Sequence, residues 1–390
     1  MRIAVVTATF LPNVGGAEFA VHHLANAWCA AGHAVCVFHW MDDAPPHPEA
    51  RYTARRYPML RGATRFGYHR VPWGAAQALV LSAMLHAWGP DLVSAHYGYP
   101  CGAWLASVRP RIPYVVTCHG AELNPEPWGL RARYHCEEAL ARGLAGSRAA
   151  VALSRDARAQ MVSLGAPPER VVEIPNGVDA ARYARPSRFD LRATLGLPKE
   201  ARVVLSVARD HPTKNHDVTL AAHARVVRAR RDVWQVFVGK GTDALVERAR
   251  ALGVGDRVVA HPGLYGDELV GAYQQADVFV LASRYEVSPL SLLEAMAAGR
   301  AVTVSRVSGC VDLVRDGVNG LTVPVGDAEA LADAVGRLLD DAALREVMGE
   351  RNRTVARAHD WSAVAARYLD AAAGRRVRPM ISTEHTVGAG

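Results

Sequence analysis

Short apolar runs rich in Val, Ile and Ala recur along this chain between amphipathic stretches, and the series starts twice. In the first half, strands are expected at 2–7, 34–39, 91–96, 113–118, 149–153 and 170–174, and helices near 17–31, 75–87, 130–143 and 155–164. Gly32 follows the first helix as a C-terminal stop signal. A second series has strands near 202–207, 234–238, 256–260, 277–281 and 301–304, and helices near 215–230, 243–252, 267–275, 289–298 and 327–340. Strands alternating with helices make βαβ units and a parallel sheet. The restart therefore implies two doubly wound, Rossmann-like α/β domains rather than one long sheet. The turn-rich Pro175-Asn-Gly-Val-Asp179 separates them, with a hinge at about 176–190. The expected organisation is a first domain over 1–178, a second over 179–360, a helix over 361–373 and a flexible tail over 374–390. Such domains bind ligands at the carboxyl ends of their strands, and two of them facing each other leave a cleft.

Composition narrows the function. The chain has 390 residues, 50% hydrophobic and 21% charged, enough to build real cores. Six cysteines are scattered without a C-x-x-C pair, which excludes a disulfide scaffold and argues against structural zinc. No run of about 18 apolar residues is present, so no membrane span is expected. The start, Arg2 to Thr7, reads as a strand and lacks the order of a signal peptide, so a cytoplasmic protein is expected. A net charge of +7 is mild, and no basic helix interleaved with aromatics is found, so nucleic acid is not an expected partner. Of 45 basic residues only Lys199, Lys214 and Lys240 are lysines.

Three segments carry chemistry. Pro12-Asn-Val-Gly15-Gly16-Ala-Glu18 joins the first strand to the first helix, and its glycines let backbone N–H groups approach an anion at a helix start. Plain turn glycines are the alternative. Ser206-Val-Ala-Arg209-Asp-His-Pro-Thr-Lys214-Asn215 follows the first strand of the second domain, and its two cations straddle a loop and a helix start. Both can reach a diphosphate there, or they are surface charges. In Glu286-Val-Ser-Pro-Leu-Ser-Leu-Leu-Glu294, Ser288 reads as N-cap and Pro289 as the first helical residue, with Leu292, Leu293 and Met296 on the buried face. Glu294 then sits about a turn and a half inside an apolar helix. A carboxylate there needs partners. Sugar hydroxyls are suitable, since a carboxylate accepts from two at once; a salt bridge is the alternative.

With these segments in place, the chain resembles the family-4 retaining glycosyltransferases of the GT-B fold over about residues 1–372. The resemblance rests on E-x7-E at Glu286 and Glu294, on Ala-Arg209-x4-Lys214-Asn, on Pro-Asn-Gly-Val-Asp179 and on Asp316-Gly-Val-Asn-Gly-Leu. In the first half it rests on Gly15-Gly16, Ala95-His-Tyr-Gly98 and Thr117-Cys-His-Gly120. It implies transfer of a sugar from a nucleotide-diphosphate sugar with retained configuration, the donor being a co-substrate rather than a cofactor. By the family pattern Arg209 and Lys214 hold the diphosphate, Glu294 the ribose and Glu286 the donor sugar. The donor set extends to Gly15 and Gly16, to the loop Gly239-Lys240-Gly241, to Leu264 near the base, and to Ser288, Pro289 and Leu290. His119 lies beside the transferring sugar, with His96, Tyr97 and Glu122 on the acceptor side. His119, Arg209, Lys214 and Glu286 are the implied catalytic residues. No metal is implied where cations neutralise the leaving phosphate. The last helix crosses back to the first domain.

The loop after Glu286 reads Val-Ser-Pro where the family often has Gly-Phe-Gly, and Pro289 has no N–H to offer a sugar. Asn13-Val14 stands where glycogen-synthase-like relatives have a Lys, which argues against a starch or glycogen enzyme. No carboxylate is obviously placed to attack the sugar, so the retention that the resemblance implies points to front-face attack by the acceptor, as proposed for the family. UDP is the expected nucleotide; the acceptor is a saccharide, a lipid-linked saccharide or a small natural product. A sugar-nucleotide epimerase on the same fold and a binding module without turnover are the rival readings. Arg51, Arg55, Arg56, Arg61, Arg65 and Arg70, among Tyr52, Tyr57, Phe66, Tyr68 and Trp73, are candidates for peripheral contact with anionic lipid. A solvated arginine-rich loop is the alternative.

Overall fold

The computed structural model describes residues 1–13, 15–40, 47–60, 72–108, 112–127, 129–377 and 380. Of the arginine-rich segment, Arg61, Arg65, Phe66, Tyr68 and Arg70 lie outside the described residues, as does most of the expected tail. The chain forms two units. The first is Met1–Gly177 with Trp361–Met380, and the second runs from Val178 to Asp360.

The first unit holds seven parallel strands: β1 (Arg2–Thr7), β2 (Ala34–His39), β3 (Thr53–Arg56), β4 (Leu92–His96), β5 (Tyr114–Thr117), β6 (Ala149–Ala152) and β7 (Val171–Glu173). Their order is β3-β2-β1-β4-β5-β6-β7, so the winding reverses between β1 and β4. The second unit has β8 (Arg202–Val207), β9 (Val233–Val238), β10 (Val258–His261), β11 (Val278–Leu281), β12 (Ala301–Ser305) and β13 (Leu321–Val323). These are also parallel, in the order β10-β9-β8-β11-β12-β13, and the reversal falls between β8 and β11. The central strands do not alternate between apolar and polar residues because helices cover both faces: β4 and β11 are buried at every residue. In doubly wound sheets ligands bind at such a reversal, outside the carboxyl ends of the strands.

The helix Trp361–Ala372 belongs to the first unit, where Trp28 donates its indole N–H to the Ala365 carbonyl at 3.1 Å. Tyr368 of the same helix meets Trp28 edge to face, and its hydroxyl accepts from Thr117 Oγ1 at 3.1 Å. In the second unit Val178 donates its N–H to the His359 carbonyl at 2.8 Å, so the residues where the chain enters and leaves that unit lie side by side.

Several sequence expectations are corrected. The expected 130–143 helix is two helices, Leu130–Tyr134 and Glu137–Gly146, because His135 is left-handed at φ 47° and its N–H closes the first of them on the Arg131 carbonyl. The helix after Glu286 spans Leu290–Ala297. Pro289, at ψ 117°, is its flanking residue rather than its first, so Ser288 is not the N-cap. The sequence pattern does not anticipate β3, β13 or the helices Ala103–Val108 and Ala342–Ala358.

Candidate functional site

In the second unit both chemistry-bearing loops hang from the strands that flank the reversal. Residues 208–215 follow β8 and residues 282–289 follow β11. Arg284 donates its backbone N–H to the Thr213 carbonyl at 2.7 Å, which ties the loops together. Asn215, left-handed at φ 54°, accepts from Arg284 Nε at 3.2 Å and precedes the helix His216–Ala229. Between the loops, Lys214 Nζ lies 2.6 Å from Glu286 Oε1, and Ser283 Oγ donates to the same oxygen at 2.7 Å. The Glu286 side chain is 9% exposed and that of Lys214 21%. A pair this sheltered is screened less than a surface pair. Gly309 donates its N–H to the Glu286 carbonyl, fixing the backbone as well as the carboxylate. Arg209 is exposed, and its carbonyl meets His216 Nε2 at 3.3 Å.

Gly239, Lys240 and Gly241 form the loop after β9, beside the Arg209 loop. Asp210 donates its N–H to the Lys240 carbonyl at 2.8 Å. Gly239 has φ 151°, and a Cβ there would sit 2.3 Å from the Ala208 carbonyl oxygen, so the close approach needs glycine. Lys240 is exposed; Leu264, after β10, is buried next to Gly263, which donates its N–H to His261 Nδ1.

Glu294 lies in the fifth position of the helix Leu290–Ala297, whose Leu292, Leu293 and Met296 are fully buried. Its partners are protein groups that sequence reading missed. Tyr273 donates its hydroxyl to Glu294 Oε2 at 2.8 Å, and Tyr183 adds a second hydrogen bond. Burial raises the Glu294 carboxyl above its ordinary value, against the pull of both tyrosines and of Arg182.

In the first unit the register of β4 and β5 pairs His96 with Thr117, which puts His119 just beyond the strand end and next to His96. His96 Nδ1 and His119 Nε2 are 2.9 Å apart, with the rings stacked at 5.1 Å. His96 Nε2 reaches Ser94 Oγ at 3.3 Å, and Tyr97 packs against His119. Burial pushes His119 down to about 4 and His96 well below its ordinary value, so the pair is neutral at pH 7. It can share a hydrogen bond but carries no fixed charge. Glu122 is wholly buried; its Oε1 accepts from the N–H groups of His119 at 3.1 Å and Gly98 at 3.2 Å. Burial raises its carboxyl to about 7, and those N–H groups oppose the rise.

Gly15 is the extended residue before the helix Gly16–Ala30, and Gly16 is exposed with open space where a Cβ would stand. A Cβ on Gly15 would lie 2.5 Å from Glu18 Oε2. The turn is therefore built to let Glu18 fold back toward the helix start, a buried carboxylate that sequence reading missed. His22 and His23 pack, His22 against Tyr52 and His23 on Trp361. Tyr52 and Tyr57 are buried, so the aromatics beside Arg51, Arg55 and Arg56 face inward rather than outward. Among the described residues no helix is long and apolar enough to cross a membrane.

Comparison with known proteins finds relatives of both halves of the chain. Residues 187–355 match the family described as glycosyl transferases group 1, and residues 14–182 match glycosyltransferase family 4. The chain is 34% identical over 304 residues to a D-inositol 3-phosphate glycosyltransferase of Xylanimonas cellulosilytica, across 72% of this chain and 71% of that one. It is 35% identical over 294 residues to the protein of the same name in Geodermatophilus obscurus, across 70% of this chain but 63% of that one. Among solved structures, a sucrose-phosphate synthase from Thermosynechococcus elongatus matches with a TM-score of 0.79 at 23% identity, over 95% and 97% of the two chains. Anabaena Alr3699/HepE in complex with UDP and glucose matches at 0.76 and 20% identity, over 95% and 98%.

Proposed function

Because the chain belongs to the group 1 glycosyltransferases of the GT-B fold, we propose that it is a retaining, metal-independent transferase. It moves a sugar from a nucleotide-diphosphate sugar, UDP-sugar first, to a hydroxyl of a saccharide, lipid-linked or small acceptor. The observation that carries this reading is the Lys214–Glu286 pair at 2.6 Å. An ammonium suited to a phosphate and a carboxylate suited to sugar hydroxyls stand together, as groups serving the two sides of an anomeric bond must. On donor binding, Lys214 exchanges Glu286 for the diphosphate, and Glu286 turns to the sugar. Arg209 adds charge from the same loop. As the bond breaks, negative charge grows on the diphosphate, and fixed cations stabilise it more in the transition state than in the ground state. The acceptor hydroxyl attacks from the face that the phosphate leaves, and the leaving phosphate oxygen takes its proton. For His119, kept neutral by burial, the role proposed is that of a hydrogen-bonding group rather than a fixed charge.

D-inositol 3-phosphate, named in the matched relatives, is the first acceptor to try. The test offers a panel of nucleotide sugars with and without it, in chelator, and reads the anomeric configuration of the product by NMR. An inverted product, a chelator-sensitive reaction or an epimerised donor without acceptor would each sink this reading.

Lys214→Arg is expected to keep the fold and lose about tenfold in turnover, roughly 1.4 kcal/mol. The ammonium is a compact point charge, whereas the guanidinium is a wide planar fork, and the space at Glu286 is already shared with Ser283. Lys199, exposed after Pro198, should accept Arg without effect. Equal activity of the two variants would remove the argument from size. A peripheral contact with anionic lipid is proposed through the exposed Arg51, Arg55 and Arg56 at the β3 edge. Flotation with anionic vesicles checks it, and binding that is absent or insensitive to salt counts against it.

A further inference from the structure

We infer that Tyr273 is a positioning residue for nucleoside recognition: it holds one oxygen of Glu294 so that the carboxylate meets the ribose in a fixed orientation. The inference rests on the proposed binding of ribose by Glu294. The geometry has three parts. Tyr273 is fully buried on the helix Gly266–Gln275, and its hydroxyl donates to Glu294 Oε2 at 2.8 Å. Tyr183, from the helix Ala180–Ala184, crosses Tyr273 edge to face at 5.7 Å and 78° and hydrogen-bonds the same carboxylate. Glu294 itself remains partly exposed and within reach of a ligand.

A carboxylate has about four lone-pair directions. Two tyrosine hydroxyls occupy part of that set and lock the side-chain torsions, leaving acceptor capacity for two vicinal hydroxyls. The tyrosines also bear on the charge. Burial favours the neutral acid, and Tyr273, Tyr183 and the Arg182 guanidinium are the groups that act against it. A protonated Glu294 accepts poorly. Binding of a ribonucleotide should therefore weaken as pH falls through the Glu294 titration. Removing a donor to the carboxylate moves that titration upward, so the loss should begin at a higher pH.

A different account is that Glu294 merely satisfies two buried hydroxyls. The experiment separates the two. Binding of UDP, or of whichever nucleotide diphosphate in a panel binds tightest, is measured across pH for wild type, Tyr273→Phe, Tyr183→Phe and Glu294→Gln. The 2′,3′-dideoxy form of the same nucleotide is measured alongside. It carries the same diphosphate, so titration of the phosphates cancels in the comparison. Both Phe variants keep the ring in place, and their melting temperatures report folding. Tyr273→Phe is expected to weaken the ribonucleotide about tenfold at neutral pH, to move the acid-side loss to higher pH, and to bind the dideoxy nucleotide as wild type does. Wild-type affinity and an unmoved pH profile in both Phe variants, with Glu294→Gln weakened, would overturn the inference alone. An unweakened Glu294→Gln, or no nucleotide bound by wild type, would overturn the ribose reading itself.

Discussion

Glu286→Ala is expected to lower kcat by about a hundredfold, roughly 2.7 kcal/mol of transition-state stabilisation, while free UDP binds as tightly as before or more tightly. The opposite signs follow from one contact. Glu286 is the partner of Lys214 at 2.6 Å, and Ser283 completes its surroundings. With the carboxylate gone, the ammonium has no protein anion to leave when a diphosphate arrives, so nucleotide affinity does not fall. The donor sugar, however, loses an acceptor for its hydroxyls and the orientation that goes with it. Glu286→Gln keeps the shape and removes the charge, and it should fall between wild type and Glu286→Ala in turnover. Steady-state kinetics with titration calorimetry for UDP decides the matter. Parallel losses in kcat and UDP affinity would mean that Glu286 supports the fold of the loop rather than the sugar.

Gly239→Ala is expected to destabilise the second unit by about 3 kcal/mol, lowering its melting temperature by roughly 6–12 °C, and to abolish nucleotide binding. A Cβ at this position would stand 2.3 Å from the Ala208 carbonyl oxygen, 2.5 Å from its carbon and 2.9 Å from Arg209 N. All three are backbone atoms that cannot rotate away. The displaced strand end is the one that carries Arg209. Gly241→Ala is the matched control. Its φ of 81° is also unfavourable for a side chain, but the nearest atom to an added Cβ is Asp210 Cβ at an ordinary 3.6 Å. It should cost about 1 kcal/mol and keep binding. Calorimetry on the two variants checks this, and equal melting temperatures would show that the contact with Ala208 relaxes without strain.

What could be read from the sequence follows the physics of the elements. Strands covered by helices on both faces are written as apolar runs, so β1, β4, β8 and β11 stand out. β3 reads Thr-Ala-Arg-Arg at an exposed edge and leaves no such trace. β13 is three residues long, and the helix Ala342–Ala358 buries little apolar surface among its arginines and glutamates. The site divides in the same way. Gly239, Arg209, Lys214, Glu286 and Glu294 were visible because the loop and helix they occupy have local signatures. The contact of Lys214 with Glu286 spans 72 residues and exists only because β8 and β11 are neighbours. His96 and His119 meet across 23 residues for the same reason, because β4 and β5 are neighbours. Tyr273, Tyr183, Ser283 and Glu18 look like ordinary core or turn residues in sequence. Nothing short of the strand order reveals what they touch.

The helix Trp361–Ala372 has a consequence for how the protein is made. Trp28 and the Ala365 carbonyl that satisfies it are 337 residues apart, and Thr117 and Tyr368 are 251 apart. The first unit to leave the ribosome is therefore the last to be finished. Until residue 372 emerges, the helix Gly16–Ala30 has no cover for its indole and the Thr117 hydroxyl lacks Tyr368, while the whole second unit can already close. During that interval, some tens of seconds long at roughly 5–20 residues per second over the intervening chain, the apolar face around Trp28 is open to chaperones or to other nascent chains. A chain cut after Gly177 would keep that open face permanently, whereas one that joins Gly177 to Trp361 by a short linker would restore the helix to the sheet that needs it.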